Sequence, residues 1–378
     1  MKRIGFVIAP SNGGWLGGAN YLRNLLWAIH AIPQPGFEVL LFMGHHTAAD
    51  AIGPLPPFRI VRSSLLDRKS PAWILRKLVQ RLCGTDAMLS RLFVRHGVSL
   101  YSHGSGFAGD GPVKTLGWIP DFQHRHLPHF FDAAEFNLRE KAGEELLCNC
   151  SRVVVSSETA RQDALRFHPA HAAKVAVLHF AVPQPEAARI AKREALEERY
   201  DFKGDYLYLP NQLWIHKNHA IVIDALAALG DAAPLCLLTG ATEDFRHPGY
   251  FASLMEKVRA AGLEARFRML GVVPYGDVIA LMAHARLVIN PSLFEGWSTT
   301  VEEAKAMGKP LLLSDIPVHR EQAPSGSAFF PPDDASALAE ALQVAWASAT
   351  PAANSAQRAA EAFRRFGLDY QAIVSPLL

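Results

Sequence analysis

Residues 287–313, LVINPSLFEGWSTTVEEAKAMGKPLLL, decide the fold class of this chain. An apolar run that ends at Asn290 is typical of a buried strand, and a loop containing Pro, Ser and Gly follows it. Thr299 and Glu302 match a helix-capping box, in which each side chain accepts a hydrogen bond from the other residue's backbone N–H. The helix is predicted to end at Gly308, and a second apolar strand follows at once. This unit is typical of a parallel α/β sheet.

The same alternation of short apolar strands and helical periods extends over most of the chain. Continuous apolar strands separated by helices predict parallel sheets that are covered on both faces. We predict strands over residues 3–9, 38–43, 98–102, 115–119, 152–156, 174–178, 206–209, 235–239, 266–270, 287–290 and 310–313. The pattern indicates two doubly wound, Rossmann-like α/β domains with a central cleft, over residues 1–182 and 183–355. A C-terminal helix over residues 356–378 is expected to pack back toward the first domain.

Composition excludes several classes of protein. The chain has 378 residues, of which 49% are hydrophobic and 20% charged, so it is not a disordered protein. Its net charge of +2 gives no general argument for nucleic-acid binding, and four cysteines do not make a disulfide scaffold. No run reaches the about 18 apolar residues that span a bilayer, and the N-terminal apolar run is too short for a signal peptide. We therefore expect a cytoplasmic protein.

Two acids in the opening stretch are placed to act on one ligand. Glu295 lies in the loop after the strand, and Glu303 is expected in the first turn of the helix. Ligands of doubly wound sheets bind at the carboxyl ends of the strands, and free N–H groups at a helix start favour anions such as phosphate. The alternative is that Glu302 and Glu303 are first-turn acids that only stabilise the helix dipole.

The spacing of these acids resembles a known motif. Glu295, seven intervening residues and Glu303 resemble the E-x7-E motif of retaining GT-B glycosyltransferases, in particular of glycosyltransferase family 4. The flanking strand, glycine-containing loop and Gly-Lys-Pro exit are similar as well. The resemblance implies that Glu295 contacts the donor sugar and that Glu303 binds the nucleotide ribose. It also assigns the intervening loop to the donor site: Gly296, Trp297, Ser298 and Thr299.

A second segment resembles the diphosphate-binding loop of that family. Residues 211–226, NQLWIHKNHAIVIDAL, match a loop in which an Arg and, five residues later, a Lys hold the donor diphosphate. Lys217 takes the Lys position, whereas Gln212 stands where the family has Arg and cannot offset charge. The alternative for Lys217 is a solvated helix start. Further donor contacts are implied at strand ends and in a glycine-rich loop over residues 11–20: Thr239, Gly240, Gly271, Val273, Gly17 and Gly18. Tyr275 either stacks on the base or is a surface turn residue.

Residues 117–129, GWIPDFQHRHLPH, carry a further resemblance. The phrase is similar to a subgroup of bacterial polysaccharide glycosyltransferases of the mannosyl or rhamnosyl type. The family shows an active-site His after this strand, where this chain has Pro120 and Asp121. Asp121 or His124 is therefore expected to fill the catalytic position, with His126 as a third candidate. A zinc site formed by the histidines of this segment is the alternative, but the fold requires no metal and no cofactor is expected.

Charge is distributed unevenly along the chain. Residues 1–180 contain 20 Lys+Arg against 13 Asp+Glu, whereas residues 181–378 contain 18 against 23. Nine basic residues interleave with apolar residues over 59–95: Arg59, Arg62, Arg68, Lys69, Arg76, Lys77, Arg81, Arg91 and Arg95. This pattern suits a basic amphipathic helix on an anionic membrane surface. It equally suits a solvated helix whose other side packs in the core.

Together these patterns predict a retaining, metal-independent glycosyltransferase, a hexosyltransferase of polysaccharide or glycoconjugate synthesis. It would move a sugar, mannose or a deoxyhexose by the subgroup resemblance, from a nucleotide-diphosphate donor to a saccharide or lipid-linked saccharide. Glu295 and Lys217 are the candidate catalytic residues in the second half of the chain. The alternatives are a sugar-nucleotide epimerase of the same fold and a non-catalytic sugar-nucleotide-binding protein, which the departures at Gln212 and Pro120 favour.

Overall fold

The chain forms two compact units, each described by itself. A computed structural model describes residues 1–9, 16–107 and 111–378. The first unit comprises Met1–His124, Asp132–Ala181 and Ala362–Leu378, and the second comprises Arg125–Phe131 and Val182–Glu361.

The first unit is built on a seven-stranded sheet in the order β3-β2-β1-β4-β5-β6-β7, and every pairing is parallel. Its strands are β1 Lys2–Val7, β2 Phe37–Met43, β3 Arg59–Arg62, β4 Val98–Ser102, β5 Lys114–Ile119, β6 Arg152–Val155 and β7 Val175–Val177. Its core follows the sequence pattern, because Ile4 and Phe6 of β1 are fully buried. Tyr21, Leu25 and Ile29 recur along one face of a helix and are buried as well.

The second unit is built on a six-stranded sheet in the order β10-β9-β8-β11-β12-β13, again parallel throughout. Its strands are β8 Tyr206–Leu209, β9 Leu235–Leu238, β10 Phe267–Met269, β11 Leu287–Asn290, β12 Leu311–Ser314 and β13 Ala328–Phe330. The four residues of β8 and the four of β11 are all buried, as continuous apolar strands covered on both faces require.

Helices connect the strands of both sheets. They are α1 Leu16–His30, α2 Pro71–Cys83, α3 Ala87–Arg95, α4 Gln123–His126, α5 Ala133–Asn149, α6 Glu158–Phe167, α7 Arg193–Tyr200, α8 His219–Leu229, α9 Tyr250–Ala260, α10 Tyr275–His284, α11 Thr299–Ala306, α12 Pro317–Gln322, α13 Ala335–Ser348 and α14 Ser355–Val374. None of the helices in the described ranges is long and apolar enough to cross a membrane.

The predicted fold class of two doubly wound, parallel α/β units is confirmed. Two strands were not predicted, β3 and β13. The sequence RIVR of β3 has a single buried residue, Val61, because β3 lies at the edge of its sheet. Strand β13 has only three residues and is the edge strand of the second sheet. Edge strands carry less of the apolar pattern that identifies a buried strand.

Candidate donor-binding site

The second sheet has a topological switch point between β8 and β11. From β8 the chain adds β9 and β10 on one side, and β11 then pairs with the other side of β8. Leu287 pairs with Leu207 and Val288 with Tyr208, so the carboxyl ends of the two strands lie side by side. This position is where doubly wound sheets bind ligands. The loops that leave it carry the predicted phosphate and sugar residues.

A buried ion pair joins these two loops. The Nζ atom of Lys217 lies 2.6 Å from Oε1 of Glu295, with side chains only 17% and 9% exposed. The Oγ atom of Ser292 lies 2.7 Å from the same carboxylate oxygen. Burial by itself would raise the pKa of Glu295, but the Lys217 charge, the nearby His319 and the hydrogen bonds from Lys217 and Ser292 together lower the pKa to about 2. Glu295 is therefore a carboxylate at neutral pH.

Asn290, at the end of β11, connects the ion pair to the next helix. It is fully buried, and its amide donates to Oγ of Ser298 at 2.8 Å and to Oε1 of Glu295 at 3.4 Å. The side-chain oxygen of Asn290, Oδ1, accepts from the side-chain amide of Asn211 at 3.3 Å, and Asn211 follows β8. Sequence reasoning treated Asn290 only as a strand end. A buried amide that ends a strand at a motif loop was the available signal, since such a group requires polar partners.

Helix α11 begins one residue earlier than the predicted capping box implies. Its N-cap is Ser298, whose Oγ accepts from the Val301 N–H at 3.4 Å, while Thr299 is the first helical residue. The Glu302 carboxylate caps nothing: it is buried and accepts from Lys305 Nζ at 2.7 Å. The predicted Thr299/Glu302 box is therefore wrong. The predicted helix end is right, because Gly308 follows the C-cap with φ of +66°.

Gln322 of α12 explains why the cap lies at Ser298. Its side chain accepts from the Ser298 N–H at 3.0 Å and donates to the Ser298 carbonyl at 2.7 Å. The same amide also donates to Glu302 at 2.9 Å. One buried side chain thus holds both groups of the Ser298 backbone and fixes the start of α11. No local sequence signal identifies a contact between residues 24 positions apart.

Glu303 lies in α11, where it is buried and contacts Tyr275. The Tyr275 hydroxyl, at the start of α10, donates to Oε1 of Glu303 at 2.7 Å. Tyr275 is about half exposed, so it is a surface residue of this turn. It also contacts Glu303, the residue that is predicted to bind the ribose. Glu303 is the fifth residue of the helix and not part of its first turn.

The remaining predicted donor residues of this unit gather around the end of β9. The N–H of Gly240 donates to the Gly271 carbonyl at 2.9 Å, which joins the two predicted turns. A Cβ atom at Gly240 would lie 2.5 Å from the Asn211 carbonyl, and its φ of +147° also favours glycine. Thr239 is buried with its Oγ1 at 2.8 Å from the Tyr208 hydroxyl. The backbone of Gln212 passes directly over Gly240.

Helix α8 begins after Asn218, whose side chain does not cap the first N–H groups of the helix, although the Tyr250 hydroxyl lies against those of His219 and Ala220. Asn218 is its N-cap residue, with φ of 58°, but the Asn218 amide donates to the Pro332 carbonyl at 2.8 Å instead of accepting from the helix. Uncapped N–H groups beside a lysine favour an anionic ligand.

Comparison with known proteins identifies this unit. Residues 194–364 match the family described as glycosyl transferases group 1. The chain contains a glycosyltransferase group 1 domain. Its switch point, ion pair and α11 all lie within the matched residues.

Two curated relatives are similar to this chain at low identity. The O-antigen chain mannosyltransferase RfbU of Salmonella typhimurium is 25% identical over 194 residues, which cover 51% of this chain and 50% of that protein. The mannosylfructose-phosphate synthase of Agrobacterium fabrum is 24% identical over 191 residues, 48% of this chain and 41% of the synthase. The chain thus spans about half the length of the curated relatives it matches.

Solved structures show that the fold is GT-B. Anabaena Alr3699/HepE in complex with UDP and glucose superposes with a TM-score of 0.70 at 18% identity, covering 100% of both chains. The sucrose-phosphate synthase of Thermosynechococcus elongatus gives a TM-score of 0.66 at 17% identity and covers 100% of this chain and 95% of its own. The predicted GT-B fold is confirmed.

The other predicted site residues lie outside the glycosyltransferase group 1 domain. Gly17 and Gly18 are in the first turn of α1, while residues 11–15 of the predicted glycine-rich loop lie outside the described residues. Asp121 accepts from the Gln123 N–H at 2.9 Å. His124 is buried with Nε2 at 2.5 Å from Glu140, and burial lowers its pKa although Glu140 opposes this. All four residues belong to the first unit.

His216 and His219 are buried parts of the framework of the group 1 domain. Burial, and secondarily the Lys217 charge, lower the pKa of His216 to about 3, and the same causes lower that of His219 to about 3. The His216 carbonyl accepts from the Leu293 N–H at 2.8 Å, which joins the loop of Lys217 to the loop of Glu295. Across residues 1–9, 16–107 and 111–378, no three His, Cys, Asp or Glu side chains are arranged to hold a metal ion.

Proposed function

We propose that this chain is a retaining, metal-independent glycosyltransferase of family 4 that moves a hexose from a nucleotide-diphosphate donor to a saccharide or lipid-linked saccharide. The observation that carries the proposal is the buried Lys217–Glu295 pair at the switch point of a glycosyltransferase group 1 domain. A cation for phosphate and a carboxylate for sugar hydroxyls stand 2.6 Å apart at the position where such a sheet binds its ligand.

Each residue has a chemical role in this proposal. Lys217 and the uncapped N–H groups of α8 bind the diphosphate, Glu295 accepts hydrogen bonds from the sugar, and Glu303 accepts them from the ribose. The anomeric C–O bond to the diphosphate breaks while an acceptor oxygen bonds to the anomeric carbon on the same face. The proton of the acceptor hydroxyl is transferred to an oxygen of the departing diphosphate. Lys217 stabilises the charge that grows on this leaving group, which is the main electrostatic requirement of the step.

Gln212 changes the distribution of charge in this site. The family's Arg position holds an uncharged amide, so the phosphate contacts of the second unit rest on Lys217 and on backbone N–H groups. Dipoles fixed in a buried site stabilise charge without reorganising. Metal independence is part of the proposal. It rests on Lys217 and the backbone N–H groups, which would stabilise the diphosphate in place of a metal ion.

The proposal also includes the identity of the transferred sugar, while the base of the nucleotide is left to the experiment below. Mannose or a deoxyhexose is supported by the likeness to the O-antigen chain mannosyltransferase, which also supports a role in polysaccharide synthesis. Asp121 and His124 stay candidates for the acceptor side of the reaction. Apart from the departures at Gln212 and Pro120, no observation on the described residues favours the epimerase or the non-catalytic alternative.

A cytoplasmic location is also part of this proposal. All four cysteines are free thiols, and Cys83 and Cys148 are exposed. Exposed unpaired thiols are typical of a reducing compartment. We propose in addition that residues 59–95 contact an anionic membrane surface.

The test begins with the nucleotide. Thermal shifts with UDP, GDP, dTDP and ADP should single out one base, because a ligand that binds only the folded state stabilises it by RT ln(1 + [L]/Kd). The radiolabelled sugar nucleotide of that base is then incubated with and without a lipid-linked saccharide, in EDTA. Label transferred only in the presence of acceptor supports the proposal. An isomerised donor without acceptor, binding without turnover, or activity that requires Mg²⁺ or Mn²⁺ would each contradict it.

A further inference from the structure

Helix α2 turns its apolar side away from the protein. Ile74, Leu78 and Leu82 recur every four residues and form one stripe with Leu75. Each of these four side chains is at least 51% exposed. In an ordinary surface helix the apolar stripe packs on the core, and the charged side faces water. In helix α2 these four apolar side chains are exposed together with Lys77 and Arg81.

An ion pair holds α2 in this orientation. Arg76, on the protein-facing side, places its guanidinium 2.6 Å from the Asp86 carboxylate, and both side chains are buried. Arg76 also donates to the Leu65 carbonyl at 3.0 Å, and Asp86 accepts from the Leu89 N–H as the N-cap of α3. The apolar stripe is therefore not needed to attach the helix. The expectation that Arg76 is one of the cations that could face a membrane is wrong, because Arg76 is buried and paired with Asp86.

The surface around the stripe is cationic. Lys77 and Arg81 flank it on α2, and Arg91 and Arg95 lie on the neighbouring helix α3. Among the described residues, Arg81, Arg91 and Arg95 have no acidic partner. The two acids of residues 59–95 are both engaged, since Asp86 pairs with Arg76 and Asp67 accepts from the His46 N–H at 2.9 Å.

A cleft beside α3 combines apolar and basic side chains. It has a volume of about 540 Å³ and is lined by Val94, Phe107 and Pro112 together with Arg91 and Arg95. The cleft that Arg91 and Arg95 line thus also has apolar walls, and Asp86 of the buried ion pair lines it as well.

We propose that α2 docks this protein on an anionic lipid bilayer. The stripe Ile74, Leu75, Leu78 and Leu82 inserts among the acyl chains, and Lys77 and Arg81 contact the lipid phosphates. A helix of 13 residues is about 20 Å long, too short to cross a hydrocarbon core of about 30 Å, so it lies in the plane of the interface. This proposal rests on the membrane contact of residues 59–95 given under the proposed function, assigns it to α2, and is tested separately from sugar transfer.

Charge decides between a bilayer and a second copy of the chain. Two copies that met through this face would bring the cations of α2 and α3 together with no outward acid of residues 59–95 to pair them. An anionic bilayer supplies both the apolar interior and the counter-charge. The structure therefore favours lipid.

The test is co-sedimentation with vesicles of phosphatidylcholine and phosphatidylglycerol. The apolar variant is Ile74→Ser/Leu78→Ser/Leu82→Ser, and the charge variant is Lys77→Gln/Arg81→Gln. A matched control, Leu138→Ser/Val344→Ser, removes exposed apolar side chains from α5 and α13. All are first compared with wild type in thermal unfolding and nucleotide affinity, which should not change.

We expect wild type and control to sediment with anionic vesicles and not with pure phosphatidylcholine. The apolar variant should partition at least about tenfold more weakly at every salt concentration. The charge variant should weaken binding at low salt, and its difference from wild type should shrink as salt screens the surface. Wild type that stays in solution at low salt, or a control that loses as much binding as the apolar variant, overturns the proposal. So does a wild-type dimer that the apolar variant converts to monomer, because the occupant is then a second copy.

Discussion

Replacing Glu295 by glutamine should destabilise the second unit in a way that depends on pH. Glutamine keeps the size of the side chain and can still accept from Ser292 and Asn290. It removes the negative charge that faces Lys217 at 2.6 Å. The variant therefore leaves a buried ammonium opposite a neutral amide.

The magnitude follows from the pKa of Glu295. Its folded value of about 2 lies below the ordinary 4.5, and the difference corresponds to about 3 kcal/mol of stability at neutral pH. Because the folded pKa is depressed, this stability is complete above about pH 4.5 and is lost as the pH falls toward about 2. Removing one partner of a buried pair costs about 3–5 kcal/mol in other proteins, which agrees with this value.

The assay must report on the second unit alone, because a chain of two units need not unfold in one step. Met282 is fully buried in the core of that unit, and its oxidation by hydrogen peroxide as a function of urea, read by mass spectrometry, measures local unfolding. The matched control is Glu186→Gln, which breaks an ion pair of 2.9 Å with Arg189 on the surface. Exposed pairs of this kind contribute about 0–1 kcal/mol.

The expected result is a large difference between wild type and Glu295→Gln at pH 7 that shrinks between about pH 4.5 and pH 2, with little change in the control. A difference that stays constant over this range would show that Glu295 is not the group that titrates. A loss no greater than that of Glu186→Gln would show that the buried pair has no special energetic weight.

Three further outcomes test the roles of single residues. Glu303→Ala should weaken nucleotide binding by about 1.5–3 kcal/mol in calorimetry, because a charged hydrogen-bond acceptor for the ribose is lost; unchanged affinity would refute the ribose role. Lys217→Ala should lower turnover at least about 100-fold, whereas Lys257→Ala, at a surface pair with Asp224, should not; equal rates for both would place the phosphate contact elsewhere. Gln322→Leu should lower the free energy of urea unfolding by about 1–3 kcal/mol, because the Ser298 backbone and Glu302 lose their partner; a variant as stable as wild type would contradict this.

The strands of both sheets were predictable because burial on both faces leaves a continuous apolar run. The run over 287–290 appears in the structure with the predicted bounds, and that over 152–156 differs by one residue at its end. At the edge strand β3 this reasoning fails, because charged residues occupy both ends of RIVR and one residue of four is buried. The edge strands β7 and β10 carry enough of the apolar pattern to be predicted within one residue at each end. An edge position depends on the topology of the sheet, which a local pattern does not contain.

The site was predictable where a motif carries it, and not where distant contacts decide it. The spacing of Glu295 and Glu303 identified the loop and helix correctly. Three adjacent hydroxyl residues, Ser298 to Thr300, could each have capped α11, and Gln322 selects the first of them from 24 positions away. Helix α2 shows the same limit, because its apolar period is real but faces outward. The buried pair of Arg76 with Asp86 lies on the side that faces the protein, and the apolar period does not reveal it.

The Lys217–Glu295 pair also bears on which ligand the donor site prefers. A nucleoside diphosphate that takes the Lys217 charge leaves Glu295 buried without its counter-ion, and an unpaired buried carboxylate is costly. A complete sugar nucleotide brings phosphate to Lys217 and hydroxyl donors to Glu295 in the same event, so that both charges keep partners. In the proposed function the ion pair therefore favours the intact donor over the released nucleoside diphosphate. The same pair that stabilises the empty site then weakens product binding, because product release restores the contact between Lys217 and Glu295.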